Sequence, residues 1–233
     1  AVVVAGAGGV VGVSGAFGTY IFKSQTIAGV NDNASITALA SGDGLDAANG
    51  VVDNSSTSIT SKQTRDQDGN EKTDNFTVVD AQFGTDTNKG LSIAAVTNED
   101  MNFAPVGLGF GAVGVAGVVA TTVANSITRA KVGDNVIINN DLTGASADQD
   151  VRLLAKSNTQ LNNISSGISA GGVAVSLDID TQVFTKTVEA VVGDNVTMKA
   201  TQNIAVEADS TDRIYQTMIS VAAGSNADGG TVR

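Results

Sequence analysis

A glycine-rich stretch of alternating sequence, followed by an acidic turn, occurs three times in the chain. The copies cover residues 9–38, 111–140 and 171–200 and align without a gap. Internal similarity of this length is typical of architectures that stack one structural unit on the next. The second and third copies are 60 residues apart, and the first and second are 102 apart. The sequence therefore predicts a repeat fold with an insertion between its first two units.

Each copy shows the alternation of a β-strand. In the third copy, apolar residues from Val173 onward alternate with Ala174, Ser176, Asp178 and Asp180. A period of two predicts a half-buried strand whose polar side chains face solvent. In the second copy small apolar residues fill the alternate positions, which predicts a strand covered on both faces.

A short turn follows each repeated strand. Gly, Asn and Asp accept positive φ or hydrogen-bond their own backbone, so these turns predict tight corners. The corner positions that align between copies are Asp32, Asp134 and Asp194, followed by Asn33, Asn135 and Asn195. With 4% aromatic residues, no Trp and 27 Gly, the core is small and β-branched, which favours closely stacked strands.

The polar region of about residues 42–90 lies between the first two copies and predicts a protruding β-hairpin inserted between coils. Segments 58–65 and 75–80 flank a turn-forming cluster, 66–70. Loops on rigid scaffolds commonly carry recognition. The candidate partner-binding residues at this tip are Thr64, Arg65, Asp66, Asp68, Asn70 and Lys72.

The same tip carries a weak calcium signal. Asp66, Asp68 and Asn70 occupy the first three ligand positions of a calcium-binding loop. Glu71 stands where the sharp turn needs Gly, and Thr77 stands where a bidentate Glu is expected. We therefore favour a plain hairpin turn, keep calcium as the alternative, and predict no cofactor.

Three further patterns have structural explanations. Residues 102–127 carry no charge and are long enough to span a bilayer, but the aligned third copy contains Asp178, Asp180 and Lys186, so we predict no membrane span.

Residues 109–114 match a dinucleotide-binding glycine pattern that the third copy lacks, which favours close backbone packing. Asp178 and Asp180 share one strand face and could act on glycans, but we interpret them as a solvated face.

Composition excludes several classes of function. Without Cys or His, the chain alone cannot perform thiol or imidazole catalysis or bind metals through those groups. A net charge of −11 without a basic cluster argues against nucleic acid and anionic membranes as partners. The chain begins within a repeat and has no basic region before its apolar opening. We therefore expect residues 1–233 to be a single segment of a longer protein.

Three runs, at residues 170–175, 189–197 and 203–208, resemble giant bacterial surface proteins. In style they are similar to the filamentous-haemagglutinin-like and leukotoxin-like adhesins that Gram-negative bacteria export through type V routes. The resemblance implies an all-β, right-handed parallel β-helix without catalytic residues, secreted or held at the outer membrane. Short strands that need neighbouring coils agree with such a solenoid. Coils of about 20 residues would give a rod of roughly 50 Å.

We therefore expect a non-enzymatic segment of a secreted adhesin, acting as a stalk or adhesive surface. Its expected partners are host-cell or matrix receptors, or other bacterial surface molecules. Two alternatives stay open, a segment of a leukotoxin-like secreted cytotoxin and a polysaccharide-active β-helix enzyme. A pure spacer is a further option, and the open sheet ends allow end-to-end self-association.

Overall fold

The computed structural model describes residues 2–53, 57–65, 71–79 and 82–232. In these residues the regular secondary structure consists of β-strands. In chain order the strands are β1 (Val2–Val30), β2 (Ser35–Ile36), β3 (Leu45–Asp53), β4 (Thr57–Arg65), β5 (Glu71–Val79), β6 (Gln82–Asn88), β7 (Gly90–Val132), β8 (Ile137–Ile138), β9 (Asp150–Ala170), β10 (Val173–Val192), β11 (Thr197–Met198), β12 (Ile204–Ala223) and β13 (Asn226–Val232).

The long strands stack in parallel, and paired residues lie one whole repeat apart. Val113 in β7 pairs with Val173 in β10, and Val132 in β7 pairs with Val30 in β1. The chain is therefore an all-β, β-helix-like solenoid in which one repeat makes one coil. The expectation of coils of about 20 residues is wrong, because a single coil contains two long strands rather than several short ones.

Each coil has two arms joined by a bend. We call the first the outgoing arm, and the described outgoing arms are residues 2–8, 90–110, 150–170 and 204–223. We call the second the return arm, and the described return arms are residues 11–30, 113–132, 173–192 and 226–232. All of these arms belong to one sheet, with the strand order β12-β9-β7-β10-β13 and β1 paired with β7. The sheet folds back on itself at the bend, so that the outgoing arms form one layer and the return arms form the other.

The long arms make the segment shorter along the stack, and wider across it, than the predicted rod. Four return arms at the usual strand spacing of about 4.8 Å span roughly 15–20 Å along the stack. An arm of some 20 residues is about 65 Å long at roughly 3.3 Å per residue. The expected rod of roughly 50 Å is therefore wrong for this segment, which is wider than it is tall.

The two halves of the folded sheet face each other across a narrow interior. The Ser126 hydroxyl donates to the Glu99 carboxylate on the opposite arm at 2.6 Å. Nearer the bend the gap is smaller, since a β-carbon added to Gly107 would lie 2.8 Å from the carbonyl oxygen of Gly117. Position 107 itself accepts only glycine, because the Gly117 carbonyl and the Val118 side chain occupy the space in front of it.

The opposite end of the coil holds the hydrophobic core. There the short parallel strands β11, β8 and β2 form a separate three-stranded sheet that closes the coil. Val136 and Ile138 are completely buried between this sheet and the arms. The remaining buried residues of this cluster are Ile93, Ala95, Ala130, Val132, Val151, Leu153 and Ala155.

The corners between return arms and short strands confirm the turn prediction. Asn33, Asn135 and Asn195 have φ of 61°, 56° and 56°, in the left-handed region that Asn tolerates. Corners of successive coils are also bonded to each other. The backbone N–H of Asp134 donates to Asp32 Oδ1 at 3.0 Å, and that of Asp194 donates to Asp134 Oδ1 at 2.8 Å.

The third copy is oriented opposite to the sequence-based interpretation. Asp178 and Asp180 are 0% and 2% exposed, whereas Val175 and Leu177 are 39% and 45% exposed. The interpretation of the two carboxylates as a solvated face is wrong. The physical reason is the in-register pairing with β7, because Asp178 pairs with Val118 and Asp180 pairs with Ala120, both of which are buried on the inner side of β7. In the second copy, outward residues such as Val115 are half-buried, flanked by strands on both sides.

Candidate functional site

The insertion consists of two pairs of antiparallel strands. In the first pair, β3 runs against β6, with Leu45 opposite Asn88 and Asp53 opposite Gln82. In the second pair, β4 runs against β5 from Thr57 opposite Val79 onward. The insertion occupies the place that residues 139–149 take in the next coil, between the short strand and the outgoing arm.

The structure describes only part of the predicted partner-binding tip. Thr64 in β4 lies opposite Lys72 in β5, and Arg65 lies opposite Glu71, so these positions form the far end of the strand pair. Asp66, Asp68 and Asn70 lie outside the described residues. Calcium binding at this tip therefore stays a prediction.

The base of the insertion is attached to the outer surface of the solenoid. Residues 49–51 bulge out of the β3–β6 ladder, because three residues of β3 face one residue of β6. At this bulge the Asn49 side-chain amide donates to Asp86 Oδ1 at 2.9 Å. Arg152 of β9 lies 3.8 Å from Asp86 Oδ2 and donates to the Asn49 carbonyl at 3.5 Å. These contacts tie the base to the outgoing arm.

The same bulge covers apolar surface on β9. Gly50 has φ of 76°, and a β-carbon added there would lie 2.7 Å from Cγ of Lys156. Leu154 lies between Arg152 and Lys156 on the outward side of its strand and is nevertheless completely buried. A glycine at position 50 thus allows the bulge to approach β9 closely on both sides of the buried Leu154. We call residues 49–51 and 86, together with Arg152, Leu154 and Lys156 of β9, the insertion base.

An open groove of about 760 Å³ lies beside the insertion base. Residues 40–48 form one wall, and residues 88–94 form the other. Lys89 stands at its edge, paired with Asp148 at 3.1 Å, and Leu45 is 82% exposed. The volume is in the range of small-ligand sites, and its polar backbone and apolar side chains suit a short extended segment. Sequence reasoning missed this groove because its two walls are brought together only by the insertion.

The carboxylate pair of the third copy is a buried polar group rather than a reaction centre. The Asn163 amide nitrogen donates to both oxygens of Asp180, at 3.0 and 2.9 Å. Burial raises the pKa of Asp178, and the nearby Asp180 carboxylate adds to this rise. Neither carboxyl oxygen of Asp178 has a hydrogen-bond partner among the described residues. Since neither carboxylate reaches solvent to a useful extent, no glycan can contact the pair.

A polar belt crosses the interior between this pair and the hydrophobic core. Glu99 accepts hydrogen bonds from Ser126 at 2.6 Å and from Thr159 of the next coil at 3.0 Å. Lys186 donates to Thr159 at 2.8 Å and forms an ion pair with Asp212 at 2.5 Å. These bonds link opposite arms and adjacent coils, so they fix the register of the stack.

The glycine motif of the second copy is explained by packing at the bend. A β-carbon added to Gly114 would lie 2.6 Å from the carbonyl oxygen of Ala170 in the neighbouring coil. The predicted close backbone packing is confirmed at this residue. In the described part of the chain, no helix is long and apolar enough to cross a membrane, and no group of three or more acidic residues is arranged to hold a metal ion.

Comparisons with known proteins do not assign the chain to a family. No family model matches it, and neither a curated protein nor a solved structure shows significant similarity to it. The class that the fold defines is a β-helix-like solenoid with an attached insertion, and the functional argument rests on that geometry.

Proposed function

We propose that the chain is a non-enzymatic segment of a secreted bacterial surface adhesin, held at the outer membrane. In this proposal the solenoid is right-handed, and the insertion protrudes from it to contact a host-cell or matrix receptor or another bacterial surface molecule. The right-handed sense follows the general preference of parallel β crossovers. The solenoid supplies rigidity, and the insertion supplies the contact.

One observation carries the proposal, namely that the insertion is fixed at its base. The contacts of Arg152 with Asp86 and Asn49, and the burial of Leu154, hold β3 and β6 against β9. A recognition element on a rigid support loses less conformational entropy on binding than a free loop does.

The carboxylate pair that motivated the enzyme alternative gives it no support, because Asp178 and Asp180 are buried. The cytotoxin alternative predicts release of contents from lipid vesicles. A vesicle-leakage assay on the purified chain separates it from the adhesin proposal, since an adhesin segment is expected to leave the vesicles intact.

Removal of the outer part of the insertion tests the proposal. Asp53 pairs with Gln82, so residues 54–81 can be replaced by Asn-Gly, a two-residue turn that suits a β-hairpin. The insertion base stays intact in this variant. We expect binding to cultured cells or immobilised matrix proteins to fall at least about tenfold, which corresponds to roughly 1.4 kcal/mol.

A matched control replaces the same residues with a Gly/Ser linker of equal length, which keeps the bulk but not the sequence. It should lose binding as the deletion does. Unchanged binding by both variants, with circular dichroism showing an intact fold, would refute the insertion as the contact site.

A further inference from the structure

The outer surface of the return arms near the bend is apolar and uncovered. We call the outward side chains of residues 11–21, 113–123 and 173–183 the bend face. They lie in register across β1, β7 and β10, so that Phe17 of β1 neighbours Val119 of β7. These positions hold Val, Ile, Leu, Phe and Gly, together with a single row of threonines, and carry no charge.

Exposure on the bend face is high for large apolar side chains. Phe17 is 76% exposed, Ile21 is 64% exposed, and Val183 at the other edge is 49% exposed. Three strands at about 4.8 Å spacing and six rows over roughly 33 Å give an area of about 500 Å². An apolar patch of this size is comparable to the largest patch on a typical monomeric protein, which is often an interaction site.

The charge distribution limits the partner to an uncharged, apolar surface. Around the bends, residues 2–22, 101–128, 157–177 and 214–227 contain no Asp, Glu, Lys or Arg. The nearest charges on the same side of the sheet are Lys23, the next outward residue after Ile21, and Asp228 of β13, which pairs with Val175. A charged partner would therefore find a complementary group only at the margins of the face. A lipid surface fits less well than a protein, because the described β1 pairs only with β7 and an unpaired strand edge is costly in hydrocarbon.

A second β-sheet face of the same kind meets these requirements. Flat faces of β-branched residues pack against each other about 10 Å apart in sheet sandwiches. The bend face also contains both a depression and a projecting side chain, which can fit each other when two copies meet. Gly15 and Gly117 lie side by side and leave a depression, whereas Phe17 projects from the neighbouring row.

We propose that the bend face packs against the bend face of a second copy of this chain, related by a two-fold axis. Such an isologous contact places the projecting row of each copy against the depression of the other. About 500 Å² per copy is at the low end of specific interfaces, so the dimer forms reversibly at micromolar or higher concentration. This contact is independent of the adhesive role of the insertion, and it differs from stacking at the strand edges.

Sedimentation velocity from roughly 1 µM to roughly 500 µM tests the proposal. The wild type is expected to shift from the monomer to a limiting dimer mass. Phe17→Lys combined with Leu177→Lys places charges on both edges of the face, and dimerisation should weaken at least about tenfold. The control Ile27→Lys, on an outward position of β1 beyond the face and 49% exposed in the wild type, should dimerise as the wild type does.

A second measurement does not depend on the folding of the lysine variants. The chain has no Cys, so Val119→Cys introduces a single thiol at the centre of the face. A bis-maleimide that spans roughly 10 Å, the usual distance between packed sheets, should cross-link this variant as a dimer, whereas Ile27→Cys should stay monomeric. Wild-type chain that is monomeric at the highest concentration would overturn the proposal, as would growth beyond the dimer that the lysines do not affect. If the monomer floats with phosphatidylcholine vesicles, the face binds lipid, and the dimer proposal is overturned as well.

Discussion

The narrow interior near the bend predicts opposite effects of one substitution at two neighbouring glycines. Gly107 points into the gap between the arms, and Gly117 points outward. A methyl group at Gly107 would lie 2.8 Å from the Gly117 carbonyl oxygen and 3.1 Å from Cγ2 of Val118. A methyl group at Gly117 would meet no atom closer than the Ser14 carbonyl oxygen, at 3.9 Å.

The magnitude follows from these distances. Because the atom that blocks Gly107→Ala is backbone, the facing strands must separate by several tenths of an ångström, and overpacking of this kind costs about 1–3 kcal/mol. Replacing Gly by Ala also removes freedom from the unfolded chain, which offsets about 0.4–1 kcal/mol. The expected net destabilisation is roughly 1–2 kcal/mol, or about 2–8 °C in Tm for a chain of this size. Gly117→Ala has only the second effect and should stabilise by up to about 1 kcal/mol.

Chemical denaturation followed by circular dichroism measures both variants against the wild type. A Gly107→Ala variant as stable as the wild type would contradict the narrow gap between the arms. Equal losses in both variants would mean that the outward and inward faces are not distinguished in the way the structure describes.

Three further effects are expected. Burial raises the pKa of Asp178, so the folded chain binds this proton more tightly than the unfolded chain does, and stability is lost as the pH rises from the ordinary pKa of 3.8 through the raised value. Asp178→Asn should therefore be more stable than the wild type at pH 7 but not at pH 3, as measured by urea denaturation at both pH values. An equal difference in the free energy of unfolding at both pH values would contradict a buried carboxyl group at this position. Leu154→Ala should cost about 2–5 kcal/mol because the insertion base covers this residue, whereas Leu45→Ala should change stability by less than about 0.5 kcal/mol, and equal Tm shifts would show that Leu154 is not covered. At Asn135, whose φ is 56°, Ala should cost about 1–2 kcal/mol and Gly much less, as the midpoint of denaturation should show.

The corners and the strands could be predicted from the sequence because they depend on local chemistry. Asn135 is at a corner since few other residues accept its backbone conformation, and the alternation around Asp178 required an extended strand. The size of the coil was also present in the sequence, as the spacing of the copies. The prediction of coils of about 20 residues is wrong because residues that align between successive copies are paired with each other in neighbouring strands. The spacing between copies is therefore the length of one coil.

The orientation of the strands could not be predicted from alternation alone. Alternation separates two faces but does not say which is inside, and the usual assignment places Val and Leu in the core. Here the pairing of β10 with β7 of the preceding coil decides, because it places Asp178 beside the buried Val118, and no local pattern around Asp178 reports this partner. The insertion base likewise depends on Arg152 and Leu154, which no local pattern links to Asn49.

The side-chain hydrogen bonds at the corners point one way along the stack. The carboxylate of Asp32 accepts from the backbone of Asp134, and that of Asp134 accepts from the backbone of Asp194, so in these bonds the acceptor belongs to the earlier coil. Backbone bonds at the same corners run the other way, because the N–H of Asn33 donates to the Asp134 carbonyl and that of Asn135 donates to the Asp194 carbonyl. Removal of residues 1–38 should therefore speed amide hydrogen exchange at Asp134, while removal of the chain beyond residue 192 should leave exchange at this amide unchanged. At each corner the Asp amide thus depends on the coil before it, and the following Asn amide depends on the coil after it.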